Sequence, residues 1–180
     1  MKKVVMSLLV SALSMASVYA QKNTVLVYGS INAESQKLSS GTKTSTFNFS
    51  PAVGYQFNDH WTTGLTLATK TGKDFSGVKT STFGVGPFVR YAMPLSDIFA
   101  VYGQFNADYL SGKAGDLKMS GFGGTLFPAI GVNMKNGFAL NFSFGGLSFA
   151  SQKVKGASKS TTDVNFNFGS GAGFGISKNF

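Results

Sequence analysis

Apolar and small polar residues alternate with a period of two along most of this chain, most clearly over its last twenty residues. Over 161–180 one parity carries Val164, Phe166, Phe168, Phe174, Ile176 and Lys178. The other carries Asp163, Asn165, Asn167, Gly169, Gly171, Gly173, Gly175 and Ser177. Period two marks a strand, whose successive side chains point to opposite faces of a sheet. Here one face is greasy and the other is glycine, amide and hydroxyl.

The alternation recurs upstream and predicts eight strands, over 24–31, 44–57, 61–70, 79–91, 98–109, 118–133, 138–149 and 161–180. The second places Phe47, Phe49, Val53, Tyr55 and Phe57 opposite Asn48, Ser50, Ala52, Gly54 and Gln56; the third places Trp61, Leu65 and Leu67 opposite Thr62, Gly64, Thr66 and Ala68. Phe88 is the exception in its strand, falling on the small-residue face. Short turns at 58–60, 92–97 and 134–137 alternate with Ser/Gly/Lys-rich stretches at 33–43, 71–78, 110–117 and 150–160, which read as loops. Pro51-Ala-Val-Gly-Tyr, Pro87-Phe-Val-Arg-Tyr and Pro128-Ala-Ile-Gly-Val echo one another in the second, fourth and sixth strands, as expected of one hairpin used repeatedly. A strand proline lacks a ladder donor, so each should sit at a bulge or cost a hydrogen bond.

A two-faced sheet can pack on a second sheet in water, or close in lipid with its apolar face outward. The polar face decides between them. A watered face would carry alternating Lys and Glu, whereas this one carries Gly, Ser, Thr, Asn and Ala, which suit a narrow interior. The strand number is even, and the apolar segments are about the 9–11 residues that a tilted strand needs to cross a bilayer. In hydrocarbon only a closed sheet pairs every backbone group. The expected fold is all-β, an eight-stranded antiparallel up-and-down transmembrane β-barrel. Rings should gather at two depths: Tyr55, Phe57, Trp61, Tyr91, Phe99, Phe138 and Phe180 near the short turns, and Phe47, Tyr109, Phe122 and Phe166 near the loops. Inside, Arg90 and Asp108 are the charges to be accommodated, with Tyr28, Tyr102, Gln104, Phe88 and Phe127 filling and blocking the middle.

The N-terminus adds a compartment. Lys2 and Lys3 precede an apolar segment that ends in Ser17-Val18-Tyr19-Ala20, the form of a secretory signal peptide cut before Gln21. Residues 1–20 are therefore expected to be removed and 21–180 to form the barrel domain. A spanning helix is the weaker reading, since the segment falls short of the ~20 residues it needs. The chain has no cysteine, which excludes a lipid attachment site and a disulfide framework. Taking away Lys2 and Lys3 leaves fourteen basic against seven acidic side chains, a formal +7. Nucleic acid is not the expected partner, because the segment is exported and the lysines lie between strands without an aromatic track. Lys37, Lys43, Lys70, Lys73, Lys79, Lys113, Lys118, Lys153, Lys155 and Lys159 all fall in or beside the four loops, while Lys22, Lys135 and Lys178 fall near the short turns. The loop lysines suit either a solvated rim or contact with anionic lipid and phosphorylated glycolipid.

With these residues in view, the mature chain resembles the small eight-stranded outer-membrane barrels, the OmpA transmembrane-domain and OmpX-like group, and more closely the single-domain barrels of Bacteroidetes. The resemblance rests on the signal segment, the hairpin arms with Phe, Val and Leu outward, the Ser50-Pro51 to Tyr55 style of strand, and the terminal Phe180. It implies the outer membrane of a Gram-negative cell, outer-leaflet lipid and lipopolysaccharide as surroundings, and a terminal strand read by the barrel-assembly machinery through Phe174, Ile176 and Phe180. Lys178 departs from that pattern, standing where another apolar residue is usual.

Chemistry in the usual sense is thin. His60 is the one histidine, in a short turn beside Asp59, with neither a second imidazole nor a cysteine to complete a metal site. Some barrels of this kind are lipid esterases, but the base must reach a serine, and only Thr62 and Thr63 lie near. The expected protein is a monomer without catalysis or cofactor, a structural or surface-binding barrel presenting four extracellular loops. The alternative is a narrow porin-like channel for ions or small solutes.

Overall fold

The computed structural model describes residues 23–37 and 43–180. The expected signal segment lies outside them. Eight strands, β1 (Thr24–Lys37), β2 (Lys43–Gln56), β3 (Trp61–Lys73), β4 (Lys79–Pro94), β5 (Phe99–Ala114), β6 (Leu117–Asn133), β7 (Phe138–Val154) and β8 (Thr161–Asn179), pair antiparallel in sequence order and close into a barrel. The parity read from the sequence holds in the fold: Phe49, Leu65, Leu67 and Tyr91 stand exposed on the outer wall, while Ala52, Thr66, Phe88, Arg90 and Gln104 are buried inside. The greasy side chains thus form the surface, the reverse of a soluble domain, and polar groups fill the centre.

Strand runs well into each of the four expected loops. Paired β-structure continues to Lys37 and Lys43, to Lys73 and Lys79, to Ala114 and Leu117, and to Val154 and Thr161. Among the described residues only 74–78, 115–116 and 155–160 separate the strands at this hairpin end, and 57–60, 95–98 and 134–137 separate them at the opposite, turn end. Glycine, serine and lysine suggested loops because the alternation stops there. A ribbon with both faces in water needs no such alternation, only its own cross-strand hydrogen bonds. The turn expected at 92–97 begins later for the same reason, since β4 runs on to Pro94.

Each repeated proline marks a lapse in one ladder. The β2–β3 register omits Ser50 and Pro51, and the β4–β5 register omits Gly86 and Pro87, with no slip on either side. At Pro128 the β6–β7 register slips: Leu126 faces Leu147 but Ala129 faces Ser143, so β7 carries one extra residue. That bulge inverts the parity of β7, moving Leu147 and Phe149 onto the outer wall. Gly145, at φ 90°, sits in the bulge, and a Cβ there would stand 2.2 Å from the Asn167 carbonyl oxygen. No side chain fits that position.

The barrel closes over a short seam. Leu26–Gly29 pair with Ile176–Asn179, and Val25 exchanges two backbone hydrogen bonds with Phe180, of 2.9 and 3.1 Å.

Candidate functional site

The middle of the barrel is shut by a layer of large side chains. Phe88 is 2% exposed and lies in one cross-strand row with Gly54 and Gly64. A Cβ on Gly64 would meet its Cε1 at 2.6 Å, so the bare wall of the neighbouring strands makes the space for this ring. Tyr28 meets Phe88 edge-on, with centroids 5.5 Å apart. Below them the Arg90 guanidinium lies 4.7 Å from the Tyr28 ring centre and 4.2 Å from that of Tyr102.

A hydrogen-bonded chain holds the layer. Arg90 Nε donates to Gln104 Oε1 at 2.8 Å, and Gln104 Nε2 donates to the Tyr28 hydroxyl and to Asn106 Oδ1. The Tyr102 hydroxyl donates to Asn141 Oδ1 at 3.1 Å, and Asn141 Nδ2 donates to Ser177 Oγ at 2.9 Å. A buried guanidinium is costly unless its donors and its charge are answered. Here an amide oxygen answers one donor and two ring faces answer the charge. Asp108 lies further toward the hairpin end and accepts from the Thr66 hydroxyl at 2.8 Å, so the two interior charges have separate partners.

This layer divides the interior. On the hairpin side is a cup of about 470 Å³ whose floor includes Tyr28 and Gln104 and whose wall includes Ser30, Asn106, Asp108 and Asn165. On the turn side a pocket of about 60 Å³ is roofed by Arg90 and Tyr102. Leu110, which the sequence placed in a loop, points inward on β5. An added Cβ on Gly123 or Gly84 would lie 3.0 or 3.1 Å from its methyl groups.

On the outer wall Tyr55, Phe57, Trp61, Tyr91, Phe99 and Phe138 ring the turn end, all exposed. Trp61 and Tyr91 face each other across β3 and β4 with centroids 4.9 Å apart. Toward the hairpin end Tyr109 and Phe122 pair across β5 and β6 at 5.5 Å. Phe83 and Phe149 join them, and sequence reasoning missed both, Phe149 because of the β7 bulge. On β8, Phe174 and Ile176 are exposed on the same wall, and Phe174 packs on Phe142 at 5.3 Å. The Lys178 ammonium lies 4.7 Å from the Phe138 ring centre and 4.6 Å from that of Phe180, which accounts for a charge in an apolar series.

His60 is occupied by the turn it sits in. Its Nδ1 donates to the Ala92 carbonyl at 2.9 Å while Ala92 N donates to the His60 carbonyl at 2.8 Å, and its ring leans on Tyr91.

The profile of the outer membrane protein beta-barrel domain family matches residues 6–180 of this chain. No curated protein matches it in sequence. Among solved structures it is similar to the outer membrane protein OprG from Pseudomonas aeruginosa, at 15% identity and a TM-score of 0.52, covering 89% of this chain and 97% of that one. It is similar also to Neisserial surface protein A, at 11% identity and a TM-score of 0.52, covering 87% of this chain and 97% of that one.

Proposed function

Because the chain belongs to the outer membrane protein beta-barrel family and lies in the outer membrane, we propose that it is a structural or surface-binding barrel which acts through its wall and its hairpin ends. The blocked interior carries this reading. Phe88, Tyr28, Arg90, Tyr102 and Gln104 fill the cross-section, and each polar member of that layer has a partner. A pathway for solute would have to break a network that gains nothing from opening.

In this reading the hairpin end faces outward and the turn end faces the periplasm. Tyr55, Phe57, Trp61, Tyr91, Phe99 and Phe138 form the inner girdle, and Phe47, Phe83, Tyr109, Phe122, Phe149 and Phe166 the outer one. Phe174, Ile176 and Phe180 present the terminal strand to the barrel-assembly machinery, and Lys178 reaches the headgroup level between its two rings. The barrel is a monomer in outer-leaflet lipid and carries no catalytic group.

Planar-bilayer recording of the purified protein tests the proposal. The expected record is quiet, with at most small and infrequent openings. Steady openings of large conductance would overturn it in favour of a channel.

A further inference from the structure

Five of the eight strands carry the same three outward residues in the same spatial order. Lys43-x-Ser45-x-Phe47 on β2, Lys79-x-Ser81-x-Phe83 on β4 and Lys118-x-Ser120-x-Phe122 on β6 read from the hairpin end toward the middle. Tyr109-x-Ser111-x-Lys113 on β5 and Phe149-x-Ser151-x-Lys153 on β7 read the other way, as their opposite direction requires. Each strand therefore holds a ring lowest, a hydroxyl above it and an ammonium at the rim. β3 keeps the upper pair as Thr71 and Lys73, and β1 keeps it as Ser35 and Lys37. Two residues advance about 6.6 Å along a strand, so the lysines stand ~13 Å past the rings along strands tilted by about 40°. That is roughly 10 Å of depth, the distance from acyl chains into charged headgroups.

The registers keep the belt level. Lys113 faces Lys118, Ser111 faces Ser120 and Tyr109 faces Phe122 across β5 and β6. Across β4–β5 and β6–β7 the triplets are offset by one step, Phe83 facing Ser111 and Ser120 facing Lys153, the stagger that tilted strands require.

A rim that only needed solvation could scatter its charges. This one sets like charges face to face, at Lys37 and Lys43, Lys73 and Lys79, and Lys113 and Lys118. Direct opposition of like charges destabilises a strand pair unless an anion lies between them. Under the third pair is an open pocket of about 530 Å³ lined by Ser111, Ser120, Lys113, Lys118, Lys153 and Lys155, with Phe83 at its lower edge.

We propose that this pocket binds the phosphate groups of a phosphorylated glycolipid of the outer leaflet. Lys113, Lys118 and Lys153 hold the phosphates, Ser111 and Ser120 hydrogen-bond the sugar and phosphate oxygens, and the acyl chains lie against Phe83, Tyr109 and Phe122. Ammonium groups serve as point charges toward phosphate, and ring, hydroxyl and ammonium at successive depths match acyl chain, sugar and phosphate in turn. The inference rests on the reading that the hairpin end faces outward.

Native mass spectrometry of the detergent-purified protein tests it, with bis-phosphorylated lipid A, its dephosphorylated form and phosphatidylglycerol as probes. Wild type should retain the bis-phosphorylated lipid, and the K113Q/K118Q/K153Q variant should bind it about 100-fold more weakly. K135Q, at the turn end, should match wild type. The dephosphorylated form and phosphatidylglycerol should bind wild type at least tenfold more weakly, and millimolar inorganic phosphate should compete only with the phosphorylated form. Equal retention of the phosphorylated and dephosphorylated lipids by wild type would overturn the proposal. That comparison, with S111A/S120A as a charge-conserving variant expected to bind more weakly, decides the matter even where the lysine variant fails to fold. A membrane-impermeant amine reagent on intact cells checks the orientation separately. Failure to label the hairpin lysines sinks the outward reading, whereas labelled lysines with indifferent lipid binding sink this inference alone.

Discussion

A Cβ added to Gly54 would stand 2.6 Å from Cζ of Phe88, two strands away across Gly64. The glycine on β2 and the phenylalanine on β4 are two halves of one packing decision, since the ring uses the volume that the missing side chain leaves.

Gly54→Ala should therefore destabilise the barrel by about 1–3 kcal/mol through overpacking. Phe88→Leu in the same chain should recover part of that loss, because the two sites share one space and their effects are not additive. Urea unfolding of the refolded protein in detergent measures both. Strictly additive midpoints would show that Phe88 does not rest on that wall.

The layer that blocks the lumen is thin, so it should be possible to open it. Tyr28→Ala combined with Phe88→Ala removes the two rings that meet at 5.5 Å and leaves Arg90 facing the passage. Small openings that favour anions are expected in planar bilayers, and Arg90→Gln in that background should abolish the preference. A double variant as quiet as wild type would mean that the remaining network seals the barrel unaided.

Parity was the legible part of this fold, since lipid outside and a crowded polar interior both penalise a misplaced residue. Even the misfit, Phe88 on the small-residue face, was visible before its glycine partners were. The arms beyond the girdle were not legible, because both their faces meet water and Lys73, Ser111, Lys113 and Lys153 read as loop. Had those stretches been read as strand, the Lys-x-Ser-x-ring repeat and its inversion on β5 and β7 would have followed from the sequence. The inverted parity of β7 was hidden for another reason. A one-residue bulge leaves no compositional mark beyond Gly145-Gly146, and it carries Phe149 to the opposite face.

Lys178 should tolerate an apolar replacement better than an acidic one. Its ammonium sits between the faces of Phe138 and Phe180, which attract a cation and repel a carboxylate. Lys178→Leu restores an apolar series on β8 and should assemble at least as well as wild type, whereas Lys178→Glu should lower the folded yield several-fold. Heat-modifiable migration of membrane fractions reads both. Equal yields from the two variants would detach the ring contact from assembly.

The short seam yields the last prediction. Among the described residues β1 pairs with β8 only from Val25 to Gly29, although β1 continues to Lys37 and β8 begins at Thr161. Between Ser143 and Gly145 the β7 strand advances two residues while its partner advances five, from Gly173 back to Phe168, with Gly169 at φ 76°. Between Phe168 and Gly173 β8 is thus three residues longer than the stretch of β7 it faces. An unpaired strand edge at lipid depth carries backbone groups that hydrocarbon cannot satisfy, so closure should gain from removing the surplus. Deleting Ser170 and Gly171 keeps Phe168 and Phe174 on the outer wall and leaves a surplus of one, an ordinary bulge. The amides of residues 30–33 should then exchange more slowly with deuterium and the urea midpoint should rise. Unchanged exchange there would mean that the seam ends where it does for a reason other than the extra length of β8.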